Sequence, residues 1–149
     1  MTNTEAQANR LNTIDALIPP EMAAKAEEVG VKKAAIGWRN TLVLGVLAGA
    51  FVAMGAVFAT TVTAGTAGNL PFGVVKLLGG LVFCLGLVLV VVAGAELFTG
   101  NNLIVMAWVG GKLSVGQLMR NWIAVYFGNL VGSLGMVALM YISRQWALA

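Results

Sequence analysis

Beyond residue 40 this sequence holds a single acidic side chain, Glu96, set in the polar interval Glu96-Leu97-Phe98-Thr99-Gly100-Asn101-Asn102 between two apolar runs. A carboxylate in such surroundings is costly to bury and normally has a partner or a role. Left as an isolated anion, Glu96 would repel anions. Its expected role is therefore to accept backbone N–H groups or pair with a basic group, and not to hold a substrate. Thr99 adds a hydroxyl that both donates and accepts. Other reactive chemistry is sparse. Histidine is absent, which excludes bis-histidine haem ligation, histidine zinc sites and His-based triads within this chain. The one cysteine, Cys84, lies in an apolar run, can form no internal disulfide or CxxC site, and is read as packing. No cofactor or metal is expected. With no paired acids and no nucleophile–base arrangement, catalysis is disfavoured.

The elements that must position Glu96 and Thr99 are membrane helices. Of 149 residues, 59% are hydrophobic and 10% charged, with a mean hydropathy of +0.88; so few polar side chains cannot cover a soluble globule. Three charge-free stretches, Thr41 to Val62, Leu77 to Ala95 and Trp122 to Ser143, each supply the roughly 20 helical residues that a bilayer core requires. After the polar interval, Leu103 to Val109 is too short to cross. Two arrangements stay open: a surface turn followed by an interfacial piece, towards which hydropathy leans, or a break at membrane depth between two half-helices. Irregular backbone survives at depth only when buried in protein or facing a wet cavity, so a break would mark a pathway.

We divide the chain into an N-terminal segment, 1–40, and a membrane domain, 41–149, with helices over about 41–63, 71–95 plus 100–110 around a loop, and 117–143. Pro19, Pro20 and Glu21 suit a helix start. A short amphipathic helix to about Val29 follows, its apolar face Met22, Ala23, Ala26 and Val29, its polar side Lys25, Glu27 and Glu28. It is expected to lie solvated on the membrane surface, a mobile gating element being the alternative. Trp38 and Arg39 then read as interfacial anchors. With the N-terminus cytoplasmic, Arg10, Lys25, Lys32, Lys33, Arg39, Lys112 and Arg120 lie inside and Lys76 and Arg144 outside, as the positive-inside rule prefers. No signal peptide is read. The net charge of +3 is spread along the flanks of the spans with no interleaved aromatic patch, so no nucleic acid partner is expected. Gly45 with Gly49, and Gly128 with Gly132, have the spacing that lets helix backbones approach closely, although glycine is also simply common in membrane helices.

The run VVAGAELFTG, Val91 to Gly100, resembles the signature of the formate/nitrite transporter family. The likeness extends through PFGVVKLLGG at Pro71 to Gly80, GQL at Gly116 to Leu118, Asn121-Trp122, and VYFGNLVG at Val125 to Gly132. It covers the chain from about Pro19 to Tyr141 and is nearer to the formate channels than to the nitrite branch.

The resemblance implies an all-α integral membrane protein with an aquaporin-like inverted-repeat fold. This chain would be the first repeat, its second membrane segment broken into half-helices, cut short before the second. It further implies homopentamers in a bacterial-type inner membrane, with a pore in each subunit that passes a small monovalent anion. Formate is preferred, with possible proton coupling; nitrite and hydrosulfide are alternatives, and a membrane scaffold, accessory subunit or inactive fragment is the reading of another class. Carried across by position, Phe83, Leu87 and Leu97 would line constrictions, with Phe98 and Thr99 also on the pathway. Glu96, Gly100 and Asn101 would belong to the pore loop, and Lys33 would gather anions at a mouth. In the family a central histidine near the matching threonine exchanges the proton and belongs to the second repeat.

Overall fold

The computed structural model describes residues 17–66 and 68–148. Arg10 and the rest of 1–16 lie outside the described residues. All regular structure within the described residues is helical. α1 is Pro19–Ala35, α2 Trp38–Thr63, α3 Phe72–Val92, α4 Phe98–Asn101, α5 Ile104–Val109 and α6 Val115–Ile142, followed by a 3-10 turn, Gln145–Leu148. α2, α3 and α6 are each long and apolar enough to cross a bilayer.

α1 opens with Pro19 and Pro20, and the Glu21 carboxylate accepts the N–H of Ile18. It runs past Val29 to Ala35, longer than its apolar pattern suggests. The face it buries is Gly30 and Ala34, whereas Met22 and Val29 stay exposed. Small residues win because the neighbour is another helix at close range: a Cβ on Gly30 would lie 3.1 Å from that of Ala107 on α5. Ala34 packs with Ile104 and Leu118, and Trp122 closes over them. Arg120 on α6 donates to the Ala34 carbonyl at 2.9 Å, and Lys112 pairs with Glu27. α1 is thus docked on α5 and α6 and is not a helix lying alone on the membrane surface.

α2 is the centre of the bundle. Its glycines are required where backbones meet, which resolves the two readings of their spacing. Gly45 faces Gly128, with an added Cβ 3.3 Å from the Gly128 Cα. A Cβ at Gly49 would overlap the Asn129 backbone, and one at Gly132 the Val46 carbonyl. On the other side, Gly55 meets the backbone of Phe83 and Gly86 of α3. In lipid such contacts are held by dispersion and polar bonds between helices, because hydrocarbon offers no hydrophobic drive. The outward side chains of α3, among them Leu77, Leu81, Val88, Val91 and Val92, are exposed and apolar, as lipid or further protein would require.

The polar interval is a break at depth, against the lean of hydropathy towards a surface turn. It lies beside Leu44 and Gly45 of α2 and Asn129 in the middle of α6, not at a helix end.

Candidate functional site

α3 stops because Gly94 adopts φ +63°, a left-handed conformation open to glycine without strain. Ala95 N–H returns to the Val90 carbonyl at 3.0 Å and Gly94 N–H to Val91 at 3.2 Å, the paired bonds of a Schellman stop. The chain then runs extended through Leu97, at φ −97° and ψ 132°, into α4. Glu96 N–H reaches across to the Leu44 carbonyl at 3.2 Å. Asn129 takes the next groups: its Nδ2 donates to the carbonyls of Glu96 at 3.0 Å and Gly45 at 2.8 Å, and its Oδ1 accepts from Phe98 N–H at 2.9 Å. Trp122 Nε1 donates to the Asn101 carbonyl at 2.9 Å. Each bond removes an orphan group that would cost several kcal/mol in hydrocarbon.

Behind the loop is a polar cluster. Lys33 Nζ, from α1, lies 2.8 Å from Glu96 Oε1 and donates to Asn101 Oδ1 at 3.1 Å. Asn101 Nδ2 donates to Glu96 Oε2 at 2.7 Å and to Asn121 Oδ1 at 2.8 Å. Glu96, Asn101 and Asn121 are buried. No buried side-chain polar atom among the described residues lacks a partner. Glu96 therefore serves as the partner of a basic group. Lys33, expected to gather anions, spends its charge on that carboxylate.

In front of the loop is a hollow of about 450 Å³, walled by Leu87, Val90 and Val91 of α3, by Gly94 to Leu97, by Thr99 and Gly100, and by Lys33. Thr99 is exposed there. Other threonines turn their hydroxyls back onto carbonyls of their own helix or turn, as Thr41, Thr60, Thr61, Thr63 and Thr66 do. Thr99 stands in the first turn of α4, where no preceding carbonyl is in place, and its hydroxyl makes no hydrogen bond among the described residues.

Of the residues singled out from sequence, Lys33, Leu87, Glu96, Leu97, Thr99 and Gly100 meet at this hollow. Three do not line it. Asn101 is fully buried behind the loop. Phe98 turns its ring to α6, edge-on to Trp122 at 6.3 Å and Tyr126 at 5.5 Å. Phe83 lies further along α3 on a second hollow of about 380 Å³, with Thr60, Thr63 and Lys76. Sequence reasoning gave no site role to Asn121 and Asn129, whose signal was two asparagines, eight residues apart, at the start of and within the charge-free part of α6.

A family model described as Formate/nitrite transporter matches residues 20–148. The formate channel FocA of Escherichia coli K12 is 49% identical over 138 residues, covering 93% of this chain and 48% of the relative. FocA of Haemophilus influenzae is 42% identical over 140 residues, covering 94% and 49%. A solved structure described as a pentameric formate channel with formate bound shares 48% identity at a TM-score of 0.68, over 73% of this chain and 42% of that one. This chain spans about half the length of the curated relatives it matches. Its fold is the aquaporin-like one, with the second membrane segment interrupted. With three membrane-length helices, a glycine-stopped break at depth and a family match over nearly its whole length, the chain belongs to the formate/nitrite transporter family.

Proposed function

We propose that the complete protein is a channel for small monovalent anions, with formate as its substrate, and that this chain supplies the first of two repeats. The observation that carries the reading is the Thr99 hydroxyl, exposed on the hollow at the helix break while the other described threonines are bonded within their own helix or turn. A formate carboxylate entering the hollow would replace part of its hydration with that hydroxyl and the N–H groups that open α4. Leu87 and Leu97 would form apolar rings that reject larger or more strongly hydrated ions, with Phe83 a further ring along α3. Phe98 would act from behind, bracing the loop through its aromatic contacts. Passage through apolar rings favours the protonated acid, so proton-coupled transport forms part of the proposal. The relatives named as formate channels support formate over nitrite and hydrosulfide. The pentameric neighbour supports five subunits, each with its own pore. Residues 1–40 would face the cytoplasm and the membrane would be a bacterial inner membrane, on the positive-inside count. No chemical conversion is part of this function.

The test is flux into liposomes containing the complete protein, with formate, nitrite, chloride and glycerol compared. Thr99→Val keeps the shape and removes the hydroxyl; loss of one hydrogen-bond donor to a charged group, worth about 1.5–3 kcal/mol, lowers formate flux by roughly tenfold or more. Insertion should be unaffected, because no protein group loses a partner. Unchanged flux would remove Thr99 from the pathway.

A further inference from the structure

The Leu97 side chain stands on the hollow, yet the backbone on both sides of it is held from behind by one amide. Asn129 donates to the carbonyl of Glu96 and accepts from the N–H of Phe98. In an extended residue the preceding carbonyl and the following N–H point the same way, as towards a neighbouring strand. Leu97 has that conformation, so the Asn129 side chain stands where a neighbouring strand's peptide group would. Its second N–H reaches the Gly45 carbonyl, which fixes the amide against α2. The orientation is determined: turned over, the NH₂ would face the Phe98 N–H and the oxygen would face two carbonyls. Nothing else among the described residues bonds the Glu96 carbonyl or the Phe98 N–H.

We propose that Asn129 is a positioning residue for anion selectivity, setting how far Leu97 projects into the pathway. This rests on the channel reading above. Leucine projection is the variable that matters, because an apolar ring discriminates by fit and a small shift of its backbone alters the aperture. The polar cluster of Lys33, Glu96, Asn101 and Asn121 anchors the carboxylate side chain and the end of α4. Its side chains make no bond to the Glu96 carbonyl or the Phe98 N–H, and the Asn101 N–H takes only the Leu97 carbonyl on the other side, so it cannot substitute for Asn129.

The experiment uses the complete protein in liposomes. It compares wild type, Asn129→Ala, Leu97→Ala and the double variant, reading the flux ratio of propionate to a small anion that wild type passes, formate or nitrite. Asn129→Ala should raise that ratio by about tenfold, the low end of what one methylene of apolar fit discriminates. Leu97→Ala should raise it similarly, and the double variant no further than Leu97→Ala, since Asn129 acts through Leu97. A merely structural asparagine would lower the amount of assembled channel and leave the ratio unchanged. If Asn129→Ala fails to reach the membrane, Asn129→Asp is read instead: it keeps the shape and the acceptor for Phe98 N–H but loses both donors, and the same rise is expected. An unchanged ratio, or rises that multiply in the double variant, would overturn the inference. Wild type passing nitrite but not formate sinks the formate reading alone, and the Asn129 comparison is then made with nitrite. If wild type passes neither, both fall.

Discussion

Replacing Lys33 with Met in the complete protein should cut formate flux far more than removal of a distant surface charge could. Lys33 Nζ sits 2.8 Å from Glu96 Oε1, with side chains 27% and 5% exposed, respectively. Together they present no net charge to the hollow. Without the ammonium, Glu96 keeps only the Asn101 amide as a donor, and its carboxylate faces the path of an anion. At a separation of about 5 Å and an effective dielectric of about 20, the repulsion is about 3 kcal/mol, which is roughly a hundredfold in local anion occupancy. The pair also supports the fold, but Lys33 is partly solvated, so its loss costs less than the ~3–5 kcal/mol typical when a fully buried pair is broken. Glu96→Gln has the opposite sign: the remaining ammonium deepens the anion well, and flux should saturate at lower formate concentration. In Lys33→Met/Glu96→Gln no charge remains, and the glutamine oxygen can still accept from Asn101. Flux should therefore recover most of the way to wild type. The assay is bilayer current at fixed ionic strength, normalised to inserted protein. A double variant no faster than Lys33→Met would refute the reasoning, because the defect would then lie in packing and not in charge.

Two further outcomes follow from the geometry. Gly132→Leu places a side chain on the Val46 carbonyl, where backbone cannot yield, so the complete protein should lose folded channel by size-exclusion yield, while Gly135→Leu, which meets nothing within 4 Å, should retain it. Glu28, outside the spans, accepts from Lys32 and Lys25, and these bonds hold its carboxyl below the usual 4.5. A depressed acid stabilises above its ordinary value and loses that contribution as pH falls through the lowered one; its carboxyl carbon shift should therefore titrate with a midpoint below the usual 4.5.

The three spans were legible because a bilayer imposes length and apolarity on any helix that crosses it, and Thr41 to Val62 or Trp122 to Ser143 meet that demand without reference to any neighbour. Glu96 was legible as a residue in need of a partner because it is the sole acid in that region. Its partner was not, since Lys33 is 63 positions away, past the end of a short helix read as lying on the membrane surface. The depth of the break was equally hidden from hydropathy. A seven-residue polar interval scores alike on a surface or beside the middle of α6; what distinguishes the cases is whether its backbone groups are met, and Asn129, Trp122 and Leu44 meet them from other helices. Asn129 itself read only as part of a resemblance to the family. The buried face of α1 was misjudged because the apolar pattern ends at Val29, and close helix contact selects Gly30 and Ala34 beyond it.

How the break is satisfied bears on how the proposed pathway would work. Its N–H groups at Gly94, Ala95, Glu96 and Phe98 and the carbonyls of Glu96 and Asn101 all have protein partners. No anion or water is required to complete them. A loop whose bonds depended on the substrate would close up when empty and order only on binding, adding the cost of that ordering to every passage. Here the scaffold bears the cost once, on folding, and Leu97 and Thr99 are held ready. The groups left to meet an anion are few: the Thr99 hydroxyl, the Thr99 and Gly100 N–H groups in the first turn of α4, and a neutral ion pair. So sparse a set binds weakly, and weak binding at a rigid, preformed constriction is what rapid conduction needs. On the proposed channel reading, selectivity would then come from the fit of the apolar side chain that the loop displays, Leu97, whose flanking backbone α6 holds in place.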